Sequence, residues 1–231
     1  MRDETDPSSP NGDRLRVVII DDHRAVSEAL GMAIDLQDDM VFLGAASSVE
    51  EGMTLCEKDK PDIVLMDIQM PDVDGITGTR MIKERFPEVH VLIVTGHTEP
   101  ALVARGAEAG ASGFLPKQTP VTEILRAVRT ASDGEMLVPA SVLAAVLEEA
   151  RAASKGAPAD QRGLTERELE VLALLGQGFD ANTIAKRLTI QLSTCRGHIK
   201  SILRKLGAHS QLEAVVTATR EGIIAPGASA R

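Results

Sequence analysis

The sequence predicts an α/β chain: a doubly wound, five-stranded parallel sheet, followed by a small all-helical module. Three observations carry this. Strand-like and helix-like runs alternate from about residue 15 to residue 132, as successive βα units do. Several strand runs are apolar without interruption, such as Ile63-Val64-Leu65-Met66 and Val91-Leu92-Ile93-Val94, which suits strands buried on both faces of a parallel sheet. After Leu164 the strand signals stop and the charge changes sign. Residues 1–161 carry 15 basic and 28 acidic side chains, whereas residues 162–231 carry 10 and 6. An acidic front with a basic tail points to two modules, the second with an anionic partner.

In order, the predicted elements are a strand near 15–20, helix 24–37, strand 41–46, helix 48–59 and strand 62–67, then helix 76–86, strand 89–95, helix 100–110, strand 112–116 and helix 120–132. Gly75 falls in a turn and Gly110 ends a helix. From Pro139 to about Ser154 strong helix formers dominate. The flexible stretch Lys155-Gly156-Ala157-Pro158-Ala159-Asp160 follows. Beyond it, Thr165 and Glu168 form a capping box that opens a helix to about Leu175, and Gly176-Gln177-Gly178 breaks it. Asp180 caps a short helix over 181–188, Leu188-Thr189-Ile190-Gln191 turns into a longer one over 192–206, and Gly207 ends that before a last helix over 210–221. Four short helices with a tight turn between the second and third match a helix-turn-helix module. The expected organisation is a disordered lead (1–13), an α/β domain (14–135), a helical and flexible linker (136–162), the helical module (163–225) and a tail (226–231).

Composition excludes several classes. A hydrophobic content of 43% supports packed cores rather than global disorder, and a net charge of -9 argues against indiscriminate nucleic-acid binding. Cys56 and Cys195 are far apart, in no metal-ligand spacing, and within helical patterns, so buried reduced thiols are expected. The polar N-terminus has no apolar core and no run approaches membrane-spanning length, so neither signal peptide nor membrane anchor is expected, and the location is read as cytoplasmic.

The chemistry gathers at strand ends. Val17-Val18-Ile19-Ile20 delivers Asp21 and Asp22, the third strand delivers Asp67, the fourth Thr95, and the fifth Lys117. Open α/β sheets place their ligands at this edge. Carboxylates that close repel one another, and a hard cation such as Mg²⁺ relieves the repulsion using a few carboxylates, waters and a phosphate oxygen. A carboxylate can also accept a phosphoryl group as nucleophile, in a transfer governed by positioning and charge neutralisation. Taken singly, each Asp is a cap or turn residue and Lys117 a surface charge; four strand ends with complementary groups are more than that.

Residues 14–135 resemble the receiver domain of two-component response regulators, a flavodoxin-like fold. The resemblance rests on the acidic pair Asp21 and Asp22, Asp67 before Pro71 and Gly75, Thr95 and Lys117. It implies phosphoryl transfer from a sensor histidine kinase to Asp67. It also implies Mg²⁺ held by Asp22, Asp67 and the Gln69 backbone carbonyl, with Asp21 assisting. The family's switch couples the hydroxyl residue to an aromatic three positions before the lysine. In this chain Thr95 would turn toward the phosphoryl group and Phe114 fill the space it left; plain core packing is the alternative for Phe114. Gln118 follows the lysine where many receivers have proline. Pro116 precedes it instead, as an edge strand permits.

In the helix from Leu192, an apolar stripe of Leu192, Cys195, Ile199, Ile202, Leu203 and Leu206 lies beside a face with Ser193, Arg196, Gly197, Lys200 and Arg204. A basic row on the second helix of such a turn suits a DNA major groove; a solvated cationic face is the bland alternative. Leu164-Thr165-Glu166-Arg167-Glu168-Leu169-Glu170-Val171-Leu172, Ile184-Ala185-Lys186-Arg187-Leu188 and Ile202-Leu203-Arg204-Lys205-Leu206-Gly207 resemble LuxR-type helix-turn-helix domains. Joined to a receiver, they give the architecture of NarL/FixJ-type response regulators. The likeness puts Arg196, Gly197 and Lys200 at base-facing positions, and makes Ser193, Thr194, His198 and Lys205 candidates for phosphate or support roles. Cys195 stands where Val is usual, and Gly197 where a larger residue is usual. Leu212, Val215, Val216 and Thr219 share one side of the last helix; the likeness implies pairing with a second copy, the alternative being packing within the module. A two-fold dimer reads a pseudo-palindromic target.

The function expected from all this is a transcription regulator, not an enzyme, that binds two-fold double-stranded DNA once phosphorylated and dimeric, with the receiver or linker hindering the recognition helix beforehand. RNA polymerase is a further partner the likeness admits. Two rivals remain. Asp72-Val73-Asp74 has the spacing of an aspartate-nucleophile phosphohydrolase, but sits in a turn. The other is a DNA-binding regulator indifferent to phosphorylation, its pocket a relic or responsive to another ligand; the complete acceptor set argues against it.

Overall fold

The computed structural model describes residues 14–96, 99–153 and 162–225. The expected lead (1–13), the flexible stretch at 155–160 and the tail (226–231) lie outside the described residues.

Five parallel strands form one sheet in the order β2-β1-β3-β4-β5. They are β1 (Leu15–Ile20), β2 (Met40–Ala46), β3 (Ile63–Met66), β4 (His90–Thr95) and β5 (Gly113–Pro116). The alternation of side chains along a strand divides the core in two. Val17, Ile19, Ile63, Leu65, Leu92 and Val94 face one way, onto α1 (Arg24–Asp35) and α5 (Val121–Ser132). Val18, Ile20, Val64, Met66, Val91 and Ile93 face the other way, toward α2 (Val49–Asp59), α3 (Gly75–Arg85) and α4 (Pro100–Glu108). The chain winds both ways from β1, so the carboxyl ends of β1 and β3 flank the crevice where the strand order reverses. β5 is outermost, as Pro116 requires, yet its outer side is partly covered: Phe114 N donates to Leu137 O at 2.8 Å.

α6 (Ala140–Ala152) packs against α4 rather than standing free between modules. The helical module comprises α7 (Glu166–Gly176), α8 (Ala181–Arg187), α9 (Leu192–Leu206) and α10 (Gln211–Arg220). Its helix ends are locally specified. Thr165 and Glu168 make the reciprocal capping box, Asp180 Oδ1 accepts from Thr183 N at 2.7 Å, and Gly207 ends α9 in the left-handed conformation. Arg167 Nη2 donates to Leu188 O at 2.7 Å, fastening the turn between α8 and α9.

The two modules share a core. α10 packs on α6 and α4 as well as on α9 and α7, and one cluster of buried side chains runs from Val18 and Phe114 through Leu143 and Val146 to Val171, Leu212 and Val216. Ser210 and Gln211, at the start of α10, are buried with them.

Candidate functional site

Asp67 follows β3 directly and is 3% exposed. Its amide donates to Ile20 O at 2.8 Å, which carries the β1–β3 ladder one residue past the strand and fixes the carboxylate beside Asp21. Asp21 is tied in the same way, its amide donating to Ala46 O at 3.0 Å. The chain then turns back at Gly75, whose amide bonds Ile68 O at 2.9 Å. A Cβ on Gly75 would fall 1.8 Å from Asp67 O, so only glycine lets the backbone pass this close.

Lys117 reaches in from the end of β5. Its ammonium donates to Asp67 Oδ2 at 2.7 Å and sits 2.8 Å from Asp21 Oδ2. Burial pulls the lysine pKa down, but the hydrogen bonds and charges of the two aspartates more than offset it and the net direction is upward. Asp21, Asp22, His23 and Asp67 each offer a ligand atom within 4.8 Å of the others. A cleft of about 600 Å³, lined by Asp22, Gln69, Met70, Leu102 and Arg105 among others, opens beside this cluster. Asp74 takes no part in the cluster: its Oδ1 accepts from Ile76 N and Thr77 N, both at 2.9 Å, as the N-cap of α3. Thr95 is fully buried at the end of β4, and its carbonyl accepts from Lys117 N at 2.8 Å. Phe114 is 1% exposed, with its ring against α4, where a Cβ on Gly106 would lie 2.3 Å from Phe114 Cζ.

On α9, Cys195, Ile199, Ile202 and Leu206 are buried, while Ser193, Thr194, Arg196, Gly197, Lys200 and Arg204 are exposed on the opposite side and His198 is half-buried. One helix thus presents a core stripe and a basic outer face.

A family model described as "Response regulator receiver domain" matches residues 17–129, and one described as "Bacterial regulatory proteins, luxR family" matches 162–218. The chain belongs to the LuxR-type response regulators. It is 35% identical to the transcriptional regulatory protein LnrK of Bacillus subtilis over 90% of this chain and 98% of that protein. Among solved structures it is similar to a LuxR-family two-component response regulator from Aurantimonas sp. SI85-9A1 (TM-score 0.55, 29% identity, 59% of this chain and 97% of that one). It is also similar to RcsB solved as two dimers bound to two parallel DNAs (TM-score 0.53, 25% identity, 90% and 98%).

Within this response regulator, Asp21, Asp22, Asp67 and Lys117, separated by up to 96 positions, share one pocket, as their strand ends predict. Five of the predicted residues are engaged inside this conformation. Leu212, Val215 and Val216 are 0% exposed and Thr219 1%, covered in a helix that packs on α4 and α6, so in this conformation they present no face to a second copy. Lys205 is an internal strut: Nζ donates to Glu168 Oε2 at 2.6 Å and Gly163 O at 2.8 Å, which makes support rather than phosphate contact its geometry here. The receiver and α6 pack on α10 rather than on the recognition helix α9; the Glu135 carboxyl is raised by burial, Asp180 and Asp133, with Arg196 pulling the other way.

Two residues at these sites were not singled out from sequence. His23 completes the acidic cluster, and its signal is adjacency to the acidic pair. Ser210 Oγ donates to Ala111 O at 2.8 Å, a contact between modules that no local pattern announces. Cys56 and Cys195 are free and buried, and burial raises both thiol pKa values, that of Cys56 to about 11, so neither carries thiolate character. No helix among the described residues is long and apolar enough to cross a membrane.

Proposed function

We propose that this transcriptional regulator is switched by phosphorylation of Asp67 from a sensor histidine kinase, and that the switch frees α10 to pair with a second copy on a two-fold DNA site. The observation that carries the reading is the Lys117 ammonium 2.7 Å from Asp67 Oδ2, in a pocket completed by Asp21 and Asp22. An Asp67 oxygen attacks phosphorus as the bond to the donor imidazole breaks; Lys117 stays close enough to pair with a phosphoryl oxygen. The donor set suits a hard divalent ion: carboxylates of Asp21, Asp22 and Asp67, with the Gln69 carbonyl in the adjoining cleft. When bound there, such an ion would supply charge neutralisation for the phosphoryl oxygens. Thr95, buried at the neighbouring strand end, is the hydroxyl that turns toward the new phosphoryl group, and Phe114, seated against α4, is the side chain whose packing responds.

α4 is the element through which this reaches the helical module, because α10 and α6 both pack on it. A shift of α4 changes the surface against which α10 packs. In this switch α10 serves the receiver in one state and a second copy in the other, and binding by either shifts the population of the rest. DNA contact falls to the exposed row Ser193, Thr194, Arg196, Gly197, Lys200 and Arg204, with His198 at its edge. The similarity to RcsB bound to DNA as dimers supports both the partner and the pairing. The reading places the protein in the cytoplasm, where a kinase, DNA and RNA polymerase meet it.

The test is selection of double-stranded DNA from random duplexes, with Mg²⁺, with and without beryllofluoride, alongside sedimentation. Beryllofluoride-dependent enrichment of a two-fold site together with dimer formation, both lost in Asp67→Asn, is the expected result. Enrichment indifferent to beryllofluoride and to Asp67→Asn overturns the switch.

A further inference from the structure

Glycine weakens a helix interior, so each one found there needs a reason. Four glycines within helices share one. A Cβ added to Gly31 would lie 2.6 Å from Phe42 Cε1, and one on Gly52 2.2 Å from Ile20 Cδ1. For Gly78 the distance is 2.6 Å to Val49 Cγ2, and for Gly106 2.3 Å to Phe114 Cζ. Packing excludes a side chain at all four. Gly197 is different. It lies in the interior of α9, its φ is not positive, and an added Cβ meets nothing within 4 Å. Neither backbone conformation nor packing asks for glycine there. Its exposed side is the one that carries Ser193, Thr194, Arg196 and Lys200. A missing side chain among longer ones leaves a notch in that face.

We propose that Gly197 is a specificity-determining residue: its notch receives the C5 methyl group of a thymine in the major groove, so that each half-site carries a thymine at one fixed position. The proposal rests on the reading of α9 as the helix that enters the DNA. What the notch recognises follows from what it offers. The Gly197 N–H and C=O, inside the helix, are spent on the i→i−4 ladder. The surface left is the C–H face of the backbone. Base edges in the major groove present donors and acceptors, and the one apolar group among the four bases is the thymine methyl. A donor or acceptor pressed into the notch would give up water for no partner. A methyl group gives up none and gains a buried contact. Distance points the same way. Gly197 is the one glycine in α9, so the helix backbone comes closest to a base edge there. Arg196 and Lys200, on either side, are long enough to reach neighbouring bases or phosphates.

The test uses the full chain with Mg²⁺, with and without beryllofluoride, and duplexes carrying the site selected from random DNA. Exchanging thymine for uracil removes the methyl group and nothing else. At one thymine of each half-site the exchange is expected to weaken binding roughly fourfold, the worth of one buried methyl group. At the other thymines it should change little. Gly197→Ser fills the notch with a polar group and is a better helix former than glycine. In that variant the thymine and uracil duplexes are expected to bind alike. Equal binding of the two duplexes by wild type at every position overturns the proposal, as does a thymine preference that persists in Gly197→Ser; both leave α9 as the DNA-reading helix. Failure of the wild-type chain to enrich any duplex in either condition overturns that reading as well.

Discussion

Ser210 Oγ donates to Ala111 O at 2.8 Å, a buried hydrogen bond that joins the start of α10 to the receiver just before β5. Ser210 also caps α10, accepting from Glu213 N at 3.0 Å. Nearby, Arg220 and Glu108 pair at 2.5 Å between α10 and α4. Ser210→Asn retains a good capping residue but places a larger amide in a buried site. A lost hydrogen bond is worth about 1 kcal/mol and an exposed pair at most about 1 kcal/mol. Combining Ser210→Asn with Arg220→Ala is expected to move the closed–open balance roughly five- to thirtyfold. Sedimentation should show more dimer in the unphosphorylated double variant than in wild type; an unchanged monomer would separate this contact from the switch.

Lys83 is a fully buried lysine at the end of α3, with Nζ donating to Pro87 O at 2.6 Å and Val89 O at 2.7 Å. Burial lowers its pKa to about 8, against the smaller pull of Glu213 and Glu88. The folded state therefore holds its proton less tightly than the unfolded chain, so stability rises as pH climbs from about 8 to 10.5 and the burial penalty is present below that window. Denaturant titration across this range should give wild type a gain over Lys83→Met on the order of 3 kcal/mol. Parallel profiles for the two proteins would contradict it.

Glu168 titrates the opposite way. Its carboxylate is buried, which alone raises the pKa, yet hydrogen bonds from Lys205, Ser201 and Thr165 bring it down to about 2. Its contribution is complete above the unfolded value of about 4.5 and is lost as pH falls toward 2. Glu168→Gln should reduce stability at pH 7 by up to about 3 kcal/mol and flatten the acid limb of the unfolding curve between those values. An acid limb as steep as wild type's would show that other carboxylates set it.

Gly197 lies within α9, and a Cβ added there meets nothing within 4 Å. Gly197→Ala should stabilise the protein by roughly 1 kcal/mol through helix propensity alone. Because the methyl lands on the exposed basic face, DNA affinity measured by titration should change while the protein becomes more stable, a combination that a purely structural glycine would not give.

The elements were legible because their signals are local. The Thr165–Glu168 capping box, the Asp180 cap and the left-handed Gly207 each act within a turn, and the apolar runs of β1, β3 and β4 need no partner to be read. The meeting of Asp21, Asp67 and Lys117 follows from strand ends once the sheet is parallel. Other features depend on distant residues. Lys83 carries a charge that reads as surface, and only the carbonyls after α3 make its burial tolerable. The stripe on α10 shows in the sequence that something covers it, but not what. His23 required the turn after Asp21 to be drawn in space.

The shared core has a consequence for concentration. α4 and α6 are covalently attached to the helix they cover, so they compete for α10 at the effective concentration of a tethered partner, in the millimolar range for short connections. A free second copy at micromolar abundance would be outnumbered about a thousandfold on that basis. Under the proposed switch a closed-state contact of modest intrinsic affinity, tighter than that millimolar range, is then enough to hold α10, and making more protein would be an inefficient substitute for a signal.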